Sequence, residues 1–202
     1  MNQNKKEQLF LVADRQQGYF TSQQAEECGY HRAHFNRFLK SGEWIKEFRG
    51  IYRLGRYPTQ DRPELVLWTL WSRDKQGNPQ GVWSHETALD IHELSDVMPA
   101  KMHITVPPNF RRRSELPKVL CLHRRTLEKS DIEERQGYKV TTPLKTLIDI
   151  IEAGTVADNF ILQAVSQATE RGIILEKELN ALQTSYPNIY KKLARLFNDH
   201  SF

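Results

Sequence analysis

Cysteine is scarce. Only Cys28 and Cys121 occur in 202 residues, with no CxxC spacing, so neither a disulfide framework nor a cysteine-built zinc site is expected. Long apolar runs are missing too: nothing approaches the roughly 18 consecutive apolar residues of a membrane span. The opening MNQNKKEQLF has no apolar core of a secretory signal. A cytoplasmic protein with no membrane partner is expected. Internal repeats and low-complexity tracts are also lacking, which excludes solenoids and compositionally disordered chains.

Charge of one sign is not abundant either, since the formal net charge is only +4. Its distribution is uneven. Residues 1–58 hold ten Lys/Arg against six Asp/Glu, whereas residues 59–202 hold nineteen of each. Within residues 31–56 the count is seven basic to two acidic, the local footprint of a segment that meets phosphate. The length suits two modest domains.

Leu9, Val12 and Ala13 sit at helical spacing within residues 5–16, and Gly18 stops that helix. Tyr19 and Phe20 form a short extended link, and Thr21 or Ser22 can cap a second helix that runs to Cys28 before Gly29 breaks it. A third helix spans His31 to Lys40. Its Phe35, Phe38 and Leu39 fall at i, i+3 and i+4 and must share a buried face. Two β-type runs, Trp44 to Phe48 and Ile51 to Leu54, are joined through Arg49 and Gly50 as a hairpin. Three helices and a hairpin make a winged helix-turn-helix, in which the second helix of the motif lies in the major groove. On that helix Arg32, Asn36 and Arg37 face away from the phenylalanines. Arginine reads guanine and asparagine reads adenine by paired hydrogen bonds, so these are the candidate readers of sequence. Lys40 is a candidate phosphate contact, with Thr21, Ser22, His31 and His34 at the borders and Lys46 and Arg49 at the wing tip. A solvated helix in a winged fold that binds protein is the plainer alternative.

Gly55 to Pro63 reads as a linker, which places the domains at 1–57 and 58–202. The second is expected to be a mixed α/β domain, making the whole chain α+β. Leu65 to Trp71 reads as a buried helix, Ser84 to Leu94 as a helix capped by Ser84, Met102 to Val106 as a half-buried strand and Val119 to Leu122 as an inner strand. Leu144, Leu147, Ile148 and Ile151 mark an amphipathic helix begun by Pro143, Ile161 to Ala168 mark another, and the last thirty residues read as helix interrupted at Tyr186 and Pro187. His85 and His92 share a helix face, but the spacing is not the HExxH of a zinc helix. Ser84 beside His85 points in a different direction and makes no nucleophile pair. Glu176 and Glu178 around Lys177 lack a partner acid. No metal, cofactor or catalytic residue is assigned. A second basic cluster, containing Arg111, Arg112, Arg113, Arg124 and Arg125, falls between and beside two strands, where it would grip nucleic-acid backbone or an acidic partner.

The run GYFTSQQAEECGYHRAHFNRFLKSGEWIKEFRGIYRL, residues 18–54, resembles the N-terminal winged helix of AbiEi-type antitoxins of type IV toxin-antitoxin systems, which act in phage abortive infection. The resemblance continues in the same order through SHETALDIHELSDVMPAKMHITVP, residues 84–107, and GYKVTTPLKTLIDII, residues 137–151. It implies a non-enzymatic transcriptional repressor that binds inverted repeats in double-stranded DNA ahead of its own operon. It also implies that the C-terminal domain counters a nucleotidyltransferase toxin without a stable complex. Two other readings stay open: a nuclease-like enzyme delivered by the winged helix, which needs paired carboxylates or metal ligands, and a ligand-sensing regulator, which needs an apolar cavity.

Overall fold

A computed structural model describes residues 2–58, 60–112 and 115–199. The fold is α+β, as expected. It divides into two compact units, residues 1–81 with 134–139, and residues 82–133 with 140–202.

In the first unit helix α1 (Asn2–Asp14) buries Leu9 and Ala13. It stops because the Gly18 amide folds back to the Ala13 carbonyl at 2.7 Å with Gly18 at φ +88°, and a side chain there would run into the Tyr57 ring. The buried strand β1 (Tyr19–Thr21) leads into α2 (Ser22–Glu27). Thr21 and Gln24 exchange side chain to backbone bonds as a capping box. Gly29, at φ +86°, turns the chain while the Tyr30 amide returns to the Ala25 carbonyl at 3.0 Å. Lys5 of α1 clasps this turn by donating to the Gly29 carbonyl at 2.7 Å. The helix expected over His31 to Lys40 begins as a 3-10 turn, Arg32–His34, and becomes α3 only at Phe35–Lys40.

The hairpin falls where the alternation placed it, as β2 (Trp44–Phe48) and β3 (Ile51–Leu54). The sheet order is β1-β3-β2, all antiparallel. The β2–β3 register shifts between Lys46 and Phe48, a bulge of the kind that twists a hairpin and re-aims its tip. This is the architecture of a winged helix-turn-helix. Helix α4 (Pro63–Trp71) belongs to the same unit, and its Trp68 ring meets Phe48 at 5.2 Å, edge to face.

The second unit contains β4 (Val82–Trp83), α5 (His85–His92), β5 (Met102–Val106) and β6 (Leu120–Arg124). Strands β7 (Ile132–Arg135) and β8 (Tyr138–Thr141) complete a five-stranded sheet of order β6-β5-β4-β8-β7, although residues 134–139 group with the first unit. Pair β4–β5 is antiparallel, whereas β4–β8 and β5–β6 are parallel. Four helices follow: α6 (Pro143–Ala153), α7 (Asp158–Glu170), α8 (Glu176–Ser185) and α9 (Pro187–Asp199). Their apolar stripes join Leu89 and Leu94 in one core that includes Leu147, Ile151, Ile161, Val165, Leu182 and Leu193.

Two expectations are corrected here. The Val119–Leu122 run does not lie inside the sheet: β6 pairs with β5 alone, at the edge, and only Leu120 of the run is fully buried, with Val119 at 40% exposure. An apolar run does not distinguish an edge strand from an inner one. Ser84 precedes α5 but does not cap it with its hydroxyl, which instead accepts from Thr105 Oγ1 at 2.8 Å and meets His85 Nδ1 at 2.9 Å, so the two side chains converge where adjacency suggested they would point apart.

The first unit's core is an aromatic cluster around Trp44, which is 4% exposed. Its ring meets Phe20 at 4.9 Å, Tyr30 at 5.1 Å, Phe35 at 5.0 Å and Phe38 at 4.7 Å. Trp44→Ala is therefore expected to cost about 3–5 kcal/mol, and Trp44→Phe much less. Urea denaturation of the full chain followed by tryptophan fluorescence and circular dichroism checks this; equal midpoints for Trp44→Ala and the parent would rule out the hub role.

Candidate nucleic-acid interface

Local sequence decides which side of α3 faces solvent. Phe35 is buried, Phe38 and Leu39 are half-buried, and Arg32, Ala33, Asn36, Arg37 and Lys40 are all exposed. Phe38 lies nearly flat on Trp44, at 20° between planes, while Phe35 meets it edge-on at 73°. The wing strand β2 thus holds the inner face of α3. The outer face carries the Arg37 guanidinium, the Asn36 amide and the Lys40 ammonium, and the preceding 3-10 turn adds Arg32, a donor set that matches phosphate oxygens and the acceptor-rich edges of purines.

Arg32 pairs with Glu26 of α2 at 2.9 Å, both side chains being largely exposed. A pair this wet is worth little, and its guanidinium can exchange the carboxylate for a phosphate. His31 and His34 are exposed, with ring centroids 6.3 Å apart. Lys46 and Arg49 are exposed on the wing. The neighbouring acid Glu47 accepts from Arg53 Nε at 2.8 Å, so its charge is offset on the hairpin itself. Gly50, at φ +71°, accepts the Ser22 amide at 3.0 Å, tying the base of α2 to the wing turn and leaving Ser22 half-buried. Thr21 is different. It is 1% exposed and its hydroxyl accepts the Gln24 amide at 3.2 Å, so it shapes the motif from inside and has no side chain to offer DNA.

In the second basic cluster Arg111, Arg124 and Arg125 are exposed, and two of these three have partners within the protein. Arg111 is exposed and Arg112 half-buried, with burial lowering the Arg112 pKa; Arg113 lies outside the described residues. Arg124 donates to the Phe110 carbonyl at 2.6 Å. Arg125 pairs with Glu152 and stands 3.8 Å from Asp149, and the Glu152 hydrogen bond raises its pKa.

The histidines of α5 separate. His92 Nε2 bonds the Thr141 carbonyl at 2.7 Å, as a core histidine does. His85 instead stacks on His123, with centroids 3.5 Å apart and planes at 13°, and His103 joins them, its Nδ1 3.0 Å from His123 Nε2. Burial, reinforced by the neighbouring histidines, pushes His85 down to about 3 and His123 to about 4, which keeps both rings neutral near pH 7. Cys121 lies beside them, and one ligand atom each from His103, Cys121 and His123 falls within 4.8 Å of the others. No local pattern in the sequence signals this cluster, because His103 and His123 are brought together by strand register. Glu176 and Glu178 build no acidic site: Glu176 is exposed, and Glu178 accepts the Leu175 amide at 2.8 Å at the start of α8. No helix among the described residues is long and apolar enough to cross a membrane.

Comparison with known proteins agrees with this geometry. No curated protein matches the sequence. Among solved structures the chain is similar to the RV2827C protein of Mycobacterium tuberculosis, at 15% identity and a TM-score of 0.55, over 96% of this chain and 76% of that one; at that identity the likeness is one of fold. Residues 7–55 match the family model described as "Transcriptional regulator, AbiEi antitoxin". The exposed Arg32, Asn36, Arg37 and Lys40 all lie within the segment that matches this model.

Proposed function

We propose that this protein is a DNA-binding transcriptional repressor that serves as the antitoxin of a type IV toxin-antitoxin system. It silences its own operon and counters a nucleotidyltransferase toxin without a lasting complex. One observation carries the DNA-binding part: within the AbiEi-matched segment, the 3-10 turn exposes Arg32 and the solvent face of α3 exposes Asn36, Arg37 and Lys40, while the other face of α3 is fixed on Trp44. A helix held this way presents its polar side chains at little entropic cost. An inverted-repeat operator calls for two copies of the chain, with half-sites about 34–36 Å apart along the duplex.

A ligand-sensing regulator is the second reading, and it too has an observation behind it. The first unit contains a groove of about 690 Å³ lined by Leu9, Phe10, Tyr30, Trp44, Leu54 and Tyr57, with Arg56 and Asp14 among its polar groups. That is the size and character of a small-molecule site.

Mobility-shift titration against the DNA upstream of its own operon tests the leading reading. Arg37→Ala is expected to weaken specific binding by about 1–3 kcal/mol, roughly five- to 150-fold, and to relax base preference at one position in each half-site. Equal affinity for the upstream fragment and for random duplex, at every salt concentration, would refute operator recognition. On the wing, Lys46→Ala and Arg49→Ala are each expected to lower the slope of log affinity against log salt by about one unit, with base preference retained. Co-expression with the adjacent gene tests the antitoxin role: the neighbour alone should arrest growth, and the full chain should relieve the arrest. If an added metabolite were needed before DNA binding changed, and Phe10→Glu abolished that response, the sensing reading would gain over a constitutive repressor.

A further inference from the structure

We propose that His103, Cys121 and His123 form a binding site for one thiophilic transition-metal ion of the zinc class. Strand geometry assembles it. Side chains two apart on a strand point to the same face, so Cys121 and His123 rise together from β6. The parallel β5–β6 register sets His103 opposite Cys121 and Thr105 opposite His123, adding the third ligand to that face. The three donor atoms lie within 4.8 Å of one another. Zinc bonds of about 2.0–2.3 Å at tetrahedral angles place neighbouring donors roughly 3.3–3.8 Å apart. The 3.0 Å between His103 Nδ1 and His123 Nε2 therefore needs to open only slightly. All three residues are partly buried, which removes the site from bulk water and leaves a fourth position for a water molecule or another small ligand.

Nearby groups complete the case. A metal-bound histidine characteristically passes its other ring N–H to a carboxylate, which fixes tautomer and orientation. Glu86 Oε2 stands 3.6 Å from His103 Nε2, the nitrogen that would face away from the metal. The Glu86 carboxylate is itself held, accepting from Thr155 Oγ1 at 2.8 Å. The His85 ring braces His123 by stacking, and His85 Nδ1 bonds Ser84 Oγ at 2.9 Å. His85 takes a left-handed backbone, φ +53°, a conformation that costs a β-carbon residue energy and gathers at functional sites. Of the nearby cations, Lys145 pairs with Asp149 and Arg125 with Glu152, while Lys101 is exposed to solvent, which screens its charge. Two negative charges, the Cys121 thiolate and Glu86, match its charge. On binding, the Cys121 thiol releases its proton to solvent. The one proton held between the two facing imidazole nitrogens moves, by exchange with solvent, to the far nitrogen of the ring that carried it, so that each facing nitrogen gives a lone pair to the ion, no proton is lost from the imidazoles, and His103 carries its N–H on Nε2 toward Glu86.

Cobalt(II) titration of the chelator-treated, reduced full chain tests the proposal. We expect one equivalent to give ligand-field absorption of tetrahedral intensity and a sulfur-to-metal charge-transfer band, both erased by equimolar zinc(II). Cys121→Ser should remove the charge-transfer band while circular dichroism stays unchanged, and Cys28→Ser should leave it intact. Glu86→Gln should weaken cobalt affinity by about ten- to a hundredfold. A spectrum that stays that of hexaaquo cobalt, or a charge-transfer band that follows Cys28 instead of Cys121, would overturn the site. Should Cys121→Ser fail to fold, His123→Gln is the second variant: loss of tetrahedral absorption supports the site, and an unaltered spectrum refutes it.

Discussion

The contact between Trp44 and the two phenylalanines of α3 is the interaction on which the exposed basic face of α3 depends. A helix of six residues has almost no stability of its own, because helix nucleation is costly and few backbone bonds follow to offset it. Helix α3, Phe35–Lys40, is that short and is preceded only by a 3-10 turn. Its rotation about its own axis must therefore come from outside, and Trp44 supplies it, stacked on Phe38 at 4.7 Å and edge-on to Phe35 at 5.0 Å. The direction in which Asn36 and Arg37 point follows from a ring on the neighbouring strand. Tyr52 of β3 extends the same contact, 5.6 Å from Phe35 and 6.0 Å from Trp44, so the wing and the reading helix share one core.

That dependence explains why the first unit could be read closely from sequence. Phe35, Phe38 and Leu39 at i, i+3 and i+4 define the inner face without any knowledge of the partner strand. Gly18, Gly29 and Gly50 mark turns that each need positive φ. Local rules were also enough to place the hairpin ends at Trp44 and Leu54. They failed where a polar residue had two uses: Thr21 suits a helix cap and an edge contact equally well in sequence, and only its burial shows that the capping box took it.

In the second unit the chemistry depends on register between distant strands, which no local pattern reveals. Residues 101–125 carry seven basic side chains against one acidic and read as a patch. Folding gives Arg124 a carbonyl 14 residues away and offsets the charge of Arg125 with Glu152, while Arg111 is exposed. A charge count measures what a segment contains, whereas the free charge on a surface depends on which partners arrive from elsewhere. Ser84 makes the same point: its place before α5 suggests a cap, yet Thr105 of β5 claims its hydroxyl.

The histidine cluster carries this furthest. His85, His103 and His123 are spread over 39 positions, and His85 and His103 lie on different elements from the strand that carries His123. Burying three imidazoles in contact is unfavourable unless each has something to hold, since every ring loses water and a protonated one would repel its neighbours. Packing alone would be served better by apolar side chains of similar volume on this face of β5 and β6. Retaining three polar rings, a thiol and a tethered carboxylate there is what a ligand-holding site requires and what a core does not. The strand pairing His103 to Cys121 therefore does two jobs: it attaches the edge strand to the sheet, and it sets donor atoms at a spacing that the amino-acid sequence, read along one dimension, conceals.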